Sequence, residues 1–476
     1  MGLKKNIFYS GFLTTGMYLS QLITFPYITK TLGVTNFGYC NFVQSFVQFF
    51  LLFSALGIST LGVREIAKVD KNNQEELNHT FSVLITLAGI TTLISFAIYL
   101  LIIFFSPQLQ AYYHLLLIGG LNIIFSLFNI EWLYRGLEDF KYITYRVLLI
   151  RILYILLIFI FVTNESHYVR YYFLSVMMVP VNSIINWLHA KKIIKYHFPK
   201  ISDLYKYVKS NILIGIQIVL LSYNSTINPV ILGLMSNDTE VGYFTTATKL
   251  IIIVLLFYNA YTSVLLPRIS SMLQNKQNNE VEIFIKKSFA LLYFLAIPLL
   301  LFVEKYTPEI IHIIANADYS GSILPMRICM PVILIGGISQ IIIQQVLIPN
   351  NLEKDTVKAS ILGVLSCIIL SYLFIPKYQS IASSVAWLVA EFIILIVTFH
   401  SAFNKIKHFN IELLLLFKYI IIYSPIAFFL FSIKLGFPFI LELILNAFIV
   451  LIYIHIMFSY IVKDSIYQSL ISRFIR

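Results

Sequence analysis

GYCNFVQSFVQFFLLFSALGISTLGVR at residues 38–64 and GYFTTATKLIIIVLLFYNAYTSVLLPR at residues 242–268 are one pattern written twice, in register and without a gap. Each copy opens on a Gly-Tyr pair (Gly38-Tyr39, Gly242-Tyr243), runs on through apolar side chains and ends in an arginine, Arg64 or Arg268. A Leu-Gly pair precedes both, Leu32-Gly33 and Leu232-Gly233. Downstream, Asn72-Asn73-Gln74-Glu75 is echoed by Asn278-Asn279-Glu280, and Thr80-Phe81 by Ser288-Phe289. A repeat of about 200 residues makes a chain of two related halves, an arrangement that in membrane proteins belongs to transporters.

The surrounding composition is that of a membrane protein. The chain is 59% hydrophobic and 12% charged, with mean hydropathy +0.85; soluble domains carry about 25% charged residues. Apolar stretches of roughly 20 residues, each able to cross about 30 Å of hydrocarbon, recur throughout. They fall at 7–29, 38–62, 80–105, 110–133, 141–163, 170–190, 209–234, 242–266, 286–304, 323–349, 356–376, 379–403, 412–433 and 438–462. The expected fold is an all-α polytopic membrane protein with fourteen spans. Residues 1–200 form a six-helix bundle, 201–405 repeat it, and 406–476 add two helices and a tail. The first apolar run is too long for a cleaved signal peptide.

Basic residues fix the orientation. The loops sharing a side with the termini hold most of the lysines and arginines, among them Lys4, Lys5, Lys68, Lys141, Lys191, Lys192, Lys276, Lys286 and Lys405. The opposite loops hold Lys30, Arg170, Lys305, Lys377 and Lys434. Positive loops stay in the cytoplasm, so both termini are expected there. The net charge of +12 reflects this skew and calls for no nucleic-acid partner. The longest loops are too short for a soluble domain. Cys40, Cys329 and Cys367 lie in apolar runs and suggest no pairing. No Walker-type phosphate loop, HExxH motif or zinc spacing occurs, so neither a cofactor nor a metal is expected.

Function is sought in the polar residues inside spans. Gln44 and Gln48 lie on one face of the second span with Asn41; Asn122 and Asn129 lie on the fourth with Ser126; Gln217, Asn224 and Asn228 lie on the seventh with Ser210; Gln340 lies on the tenth with Gln344. Such side chains avoid lipid and face partner helices or water. Interhelical hydrogen bonding accounts for any one of them; stripes on spans paired by the repeat suggest a shared hydrated cavity. Four cations also lie within spans: Arg146, Arg151, Lys249 and Arg327. Each costs about 2.5–3.5 kcal/mol to insert near the midplane. An intramembrane acid, Glu131 or Glu391, could offset that cost, and so could an anionic substrate; Arg146 and Arg327 lie close enough to helix ends to snorkel. Four cations against two acids leave positive charge suited to phosphate or pyrophosphate. Arg64 and Arg268, at equivalent helix ends, are candidates for a cytoplasmic gate or simple topology anchors.

Three blocks carry a family resemblance: Phe25-Pro26-Tyr27 with Leu32-Gly33-Val34-Thr35-Asn36-Phe37-Gly38; Leu56-Gly57-Ile58-Ser59-Thr60-Leu61-Gly62-Val63-Arg64-Glu65-Ile66-Ala67; and Glu131-Trp132-Leu133-Tyr134-Arg135-Gly136-Leu137-Glu138-Asp139-Phe140-Lys141-Tyr142-Ile143. The chain resembles the polysaccharide flippases of the multidrug/oligosaccharidyl-lipid/polysaccharide superfamily, which move O-antigen and capsule repeat units. The resemblance implies two six-helix bundles around a central cavity, rocking between inward-open and outward-open states in the bacterial plasma membrane. It implies an oligosaccharide on undecaprenyl pyrophosphate as substrate, moved from the cytoplasmic to the periplasmic leaflet, and no enzymatic activity. Membrane lipids are expected partners; H+ or Na+ coupling, with Glu391 or Glu131 as the titrating group, and association with a polysaccharide polymerase are further candidates, and the chain is expected to be a monomer. A multidrug exporter for cationic compounds would want cavity acids, which spans 1, 2, 7 and 8 lack. A lipid II flippase stays open as an alternative. A polymerase or ligase would want catalytic residues on a sizeable loop, and the largest outer loop, 305–322, offers only Glu309, His312 and Asp318.

Overall fold

Gly33 and Gln379 each fold a long helical run back on itself. In the computed structural model, which describes residues 3–70, 73–406, 412–433 and 436–461, the described residues form helices and turns and contain no strand. The helices are α1 (Leu3–Ala55), α2 (Ile58–Lys68), α3 (Gln74–Phe105), α4 (Tyr113–Ser126), α5 (Glu131–Gly136), α6 (Phe140–Phe161), α7 (Tyr168–Ala190), α8 (Ile201–Leu221), α9 (Tyr223–Met235), α10 (Asp238–Gln274), α11 (Asn278–Ile314), α12 (Ile323–Cys329), α13 (Val332–Ile341), α14 (Glu353–Lys405), α15 (Leu413–Ser432) and α16 (Phe439–Ile456).

Inside α1, Gly33 takes φ 71° and ψ 167°, a conformation open in practice only to glycine. The Phe25 and Phe37 rings therefore meet at 5.9 Å, although twelve residues of straight helix would separate them by roughly 18 Å. Inside α14, Gln379 has φ 49°. Asp355 and Lys405, at opposite ends of this 53-residue run, form an ion pair with Nζ 2.6 Å from Oδ2. A straight helix would hold them about 75 Å apart.

Ten described helical segments are long and apolar enough to cross a membrane, and α8 with α9, bent by 58° at their junction, make an eleventh. Counting α1 and α14 as two passes each, and α10 over its apolar stretch, accounts for all fourteen expected spans. The chain is thus an all-α multi-pass membrane protein. Its exposed residues are those lipid would cover, among them Phe104, Phe105, Leu149 and Ile160. Small and polar groups turn inward, as packing between helices in lipid favours. Ser54 of α1 is hydrogen-bonded to Thr92 of α3 at 2.8 Å and to Ser126 of α4 at 2.9 Å. Each such contact contributes about 0.6 kcal/mol within a membrane.

By packing, the chain divides into two units, Met1–Thr245 and Thr246–Arg476. In the first, α1 packs on α3, α4, α6 and α9, and α2 packs on α5. Their buried meeting point holds Leu61, Ile66, Phe81, Trp132, Leu133 and Tyr134. The segment after α7 is tied to α3 by side chains: Asn78 Oδ1 accepts from the Lys195 amide at 2.9 Å, and Gln74 donates to the Ile193 carbonyl at 2.7 Å. In the second unit, α11 packs on α13, α15 and α16, and α12 and α13 pack on α14.

Candidate functional site

The middle of α6 carries the feature that distinguishes the first unit. Arg151 sits at the centre of this 22-residue helix, roughly 16 Å from its start. It is half-buried. Its Nη1 reaches only the thioether of Met178 on α7, at 3.7 Å, its guanidinium lies 5.9 Å from the centre of the Tyr154 ring, and its Nε has no hydrogen-bond partner. Tyr154 is held in place by Ser175, 3.1 Å from its hydroxyl. Among the described residues no carboxylate pairs with Arg151.

The other span cations have different surroundings. Arg146 is buried and paired through Nη2 with Oε2 of Glu131 at 3.2 Å, while the same carboxylate takes Arg135 at 2.7 Å. Arg327 of α12 lies 3.4 Å from Glu304 on α11, a partner outside the set that span positions suggested. Lys249 is half-buried on α10 in the second unit. Glu391 on α14 accepts a hydrogen bond from Trp387 Nε1 at 3.2 Å and faces Gly336 of α13, where a Cβ would lie 3.5 Å from Oε2. Of the two helix-end arginines, Arg64 bonds Glu65 at 2.9 Å, and Arg268 stacks 4.4 Å from the centre of the Phe284 ring.

The amides are unequal. Gln44 and Gln48 are half-buried on the second pass of α1. Asn122 is buried on α4 with its Oδ1 unbonded. Asn129 lies beyond the end of α4, in the break before α5, where its exposed carbonyl oxygen takes a 3.2 Å bond from Asn186 of α7. Gln217 is exposed on α8, Asn228 is buried on α9, and the side chain of Asn224 lies outside the described residues. Gln340 is half-buried on α13. Sequence periodicity overlooked Gln345, which is fully buried with both its amide nitrogen and oxygen unbonded. It lies in a π-helical stretch, Ile342–Leu347, that continues α13. A projection at 100° per residue fails across such a turn.

Where the repeat begins, equivalent residues meet. Thr35 and Thr239, alike in their distance from Gly38 and Gly242, are hydrogen-bonded through their hydroxyls at 2.9 Å. Asp238 takes a 2.8 Å bond from Tyr112, and Tyr112 stacks on Tyr39 at 4.8 Å. Gly38 is required by contact: a Cβ there would lie 1.7 Å from the Asp238 carbonyl oxygen.

The fold, with its folded-back helices and mid-span arginine, is that of a polytopic all-α membrane protein. Residues 3–273 match the polysaccharide biosynthesis protein family, and the chain belongs to that family. It is 25% identical over 402 residues, 82% of its length and 94% of the relative's, to a protein of Escherichia coli (strain K12) named "Putative O-antigen transporter". Among solved structures it resembles the lipid II flippase MurJ in an inward closed conformation, with TM-score 0.74, 17% identity and coverage of 94% of this chain and 99% of that one. An inward-facing multidrug transporter of the MATE family, in the MOP superfamily, aligns with TM-score 0.60 and 12% identity over 81% of this chain and 97% of that one. At these identities the structural likenesses establish the fold.

Proposed function

We propose that this protein is a flippase, carrying an oligosaccharide on undecaprenyl pyrophosphate from the cytoplasmic to the periplasmic leaflet of the bacterial plasma membrane. Its repeated halves, 1–200 and 201–405, alternate in giving access, residues 406–476 add two helices, and both termini lie in the cytoplasm. The observation that carries the reading is Arg151: a guanidinium at mid-span with no carboxylate beside it. A phosphate offers this fork-shaped donor the charge and oxygen acceptors it lacks. The E. coli relative's name supports a glycan cargo. A glycan headgroup needs hydrogen-bond partners along its path, which Gln44, Gln48, Asn122 and Gln217 can supply. Lys249 is the corresponding candidate in the second half.

The chain moves its substrate without altering it. Gradient coupling is assigned to Glu391, the half-buried carboxylate on α14 beside Trp387. The Thr35–Thr239 contact opens and closes during the cycle. The decisive experiment is complementation of a flippase-null strain. Arg151→Ala, at matched protein abundance, is expected to abolish surface polysaccharide, while Arg151→Lys keeps part of it. Wild-type export by Arg151→Ala would remove the proposed pyrophosphate site.

A further inference from the structure

We infer that a groove at the N-terminal end of α6, against α7, binds the phosphate of an anionic membrane phospholipid whose tails lie along the outside of α6. The site is separate from Arg151 and does not depend on the transport reading. The groove has a volume of about 510 Å³ and is lined by Lys141, Tyr142, Tyr145 and Arg146 of α6 with Ile185 and His189 of α7.

Arg146 supplies the first argument. Its side chain is 4% exposed, and of its three nitrogens only Nη2 reaches Glu131. Nε and Nη1 have no hydrogen-bond partner. Leaving buried donors unused costs about 1–3 kcal/mol, and a phosphate oxygen in the groove would accept from them. The Tyr142 ring, 5.3 Å from the guanidinium carbon, fixes the arginine from one side. Tyr142 is in turn stacked on His189 at 4.1 Å.

Charge supplies the second. Lys141 is exposed at the rim and makes no ion pair or hydrogen bond among the described residues. The acids nearby are committed elsewhere. Asp139, also on the groove, caps α6 by accepting from the Tyr142 amide at 3.2 Å. Glu131 is divided between Arg135 and Arg146. Two cations and a histidine thus face one carboxylate around the opening, and the first turn of a 22-residue helix adds its own positive end.

The third argument bears on the class of ligand. Tyr145, Leu149, Ile152, Leu156 and Ile160 follow one another up α6, each more than half exposed. This stripe runs roughly 22 Å from the groove, longer than the ~15 Å hydrocarbon depth of one leaflet. Lipid covers this stripe in any case, and the groove at its foot places Lys141 and Arg146 where the headgroup of a lipid lying there would sit. The basic loops gather at this end of the helix, so the lipid belongs to the leaflet on that side.

The test is native mass spectrometry and thermal denaturation of the purified full chain in detergent, titrated with phosphatidylglycerol or phosphatidylcholine. Phosphatidylglycerol should bind at least about tenfold more tightly than phosphatidylcholine, the value of one charge-assisted hydrogen bond. Lys141→Gln, which leaves the Arg146–Glu131 pair intact, should cut that preference by a factor of about 3, and Arg151→Gln should leave it unchanged. Equal binding of the two lipids, or an unchanged preference in Lys141→Gln, overturns the proposal. So does stabilisation by inorganic phosphate alone to the level reached with phosphatidylglycerol, or loss of the preference in Arg151→Gln.

Discussion

Replacing Arg151 with methionine separates a ligand-binding role from a structural one, because the two roles predict opposite signs for stability. A cation at the centre of a span costs about 2.5–3.5 kcal/mol on insertion scales. The Tyr154 ring returns about 1 kcal/mol at most, given a distance of 5.9 Å and partial exposure. The thioether of Met178 is a weak acceptor and adds little. Without ligand, Arg151 is therefore a net burden of about 1.5–2.5 kcal/mol. Methionine keeps an unbranched stem and discards the charge. Arg151→Met should raise the apparent melting temperature in detergent by about 2 °C. Export should fall by at least about tenfold, since charge-assisted hydrogen bonds contribute about 1.5–3 kcal/mol each. Differential scanning fluorimetry on purified protein gives the first quantity, and surface polysaccharide in a complemented flippase-null strain gives the second. A variant that melts several degrees lower, or that exports normally, would refute the reasoning.

Glu131→Gln strips the buried Arg146 of its counter-charge and should destabilise the protein by about 2–3 kcal/mol, read as a lower melting temperature; Arg135→Gln, on the exposed side of the same carboxylate, should cost under about 1 kcal/mol. Glu391→Gln keeps an oxygen to accept from Trp387 and should fold normally, but transport by reconstituted vesicles should no longer respond to an imposed proton or sodium gradient; an unchanged response removes Glu391 from the coupling role. Thr35→Cys with Thr239→Cys should cross-link through a short bis-maleimide and stop export until the linker is cleaved, and full export with the link intact would show that this contact does not open during transport. Gly33→Ala should cost about 1–3 kcal/mol, because alanine must enter a backbone region that glycine alone occupies freely.

The number and placement of the passes were legible because a membrane imposes a length and a polarity on every span. The turns within them were not. Hydropathy averages across a few residues, so the breaks between α1 and α2, between α4 and α5 and between α8 and α9 vanish inside apolar windows. Asn129 was read as part of a helical stripe and instead occupies the break after α4, where its neighbour is Asn186. Gln345 was hidden for a related reason: one π-helical turn shifts the face of everything after it. Gly33 and Gln379 both fall at expected span boundaries, between 7–29 and 38–62 and between 356–376 and 379–403, but nothing in a glutamine announces the positive φ that makes the second turn.

Charge pairing shows a sharper limit. Glu131 was a foreseeable neighbour for Arg146, because fifteen residues separate them across a short connection and both lie near one membrane face. Glu304 could not be foreseen for Arg327: the residues stand on different helices, and their meeting depends on how α11 and α12 cross. The same crossing logic makes Arg151 informative. On α6 it faces α7, whose described residues from Tyr168 to Ala190 include no aspartate or glutamate. The chain thus brings a carboxylate to Arg146 and another to Arg327, yet sets Arg151 against the Met178 thioether and the Tyr154 ring. A purely structural role would favour a neutral side chain at this position, since a well-packed apolar residue is as stable or more so than an uncompensated buried charge. Retaining the guanidinium there makes sense when a mobile anion, present for only part of a cycle, supplies the compensation that the fold withholds.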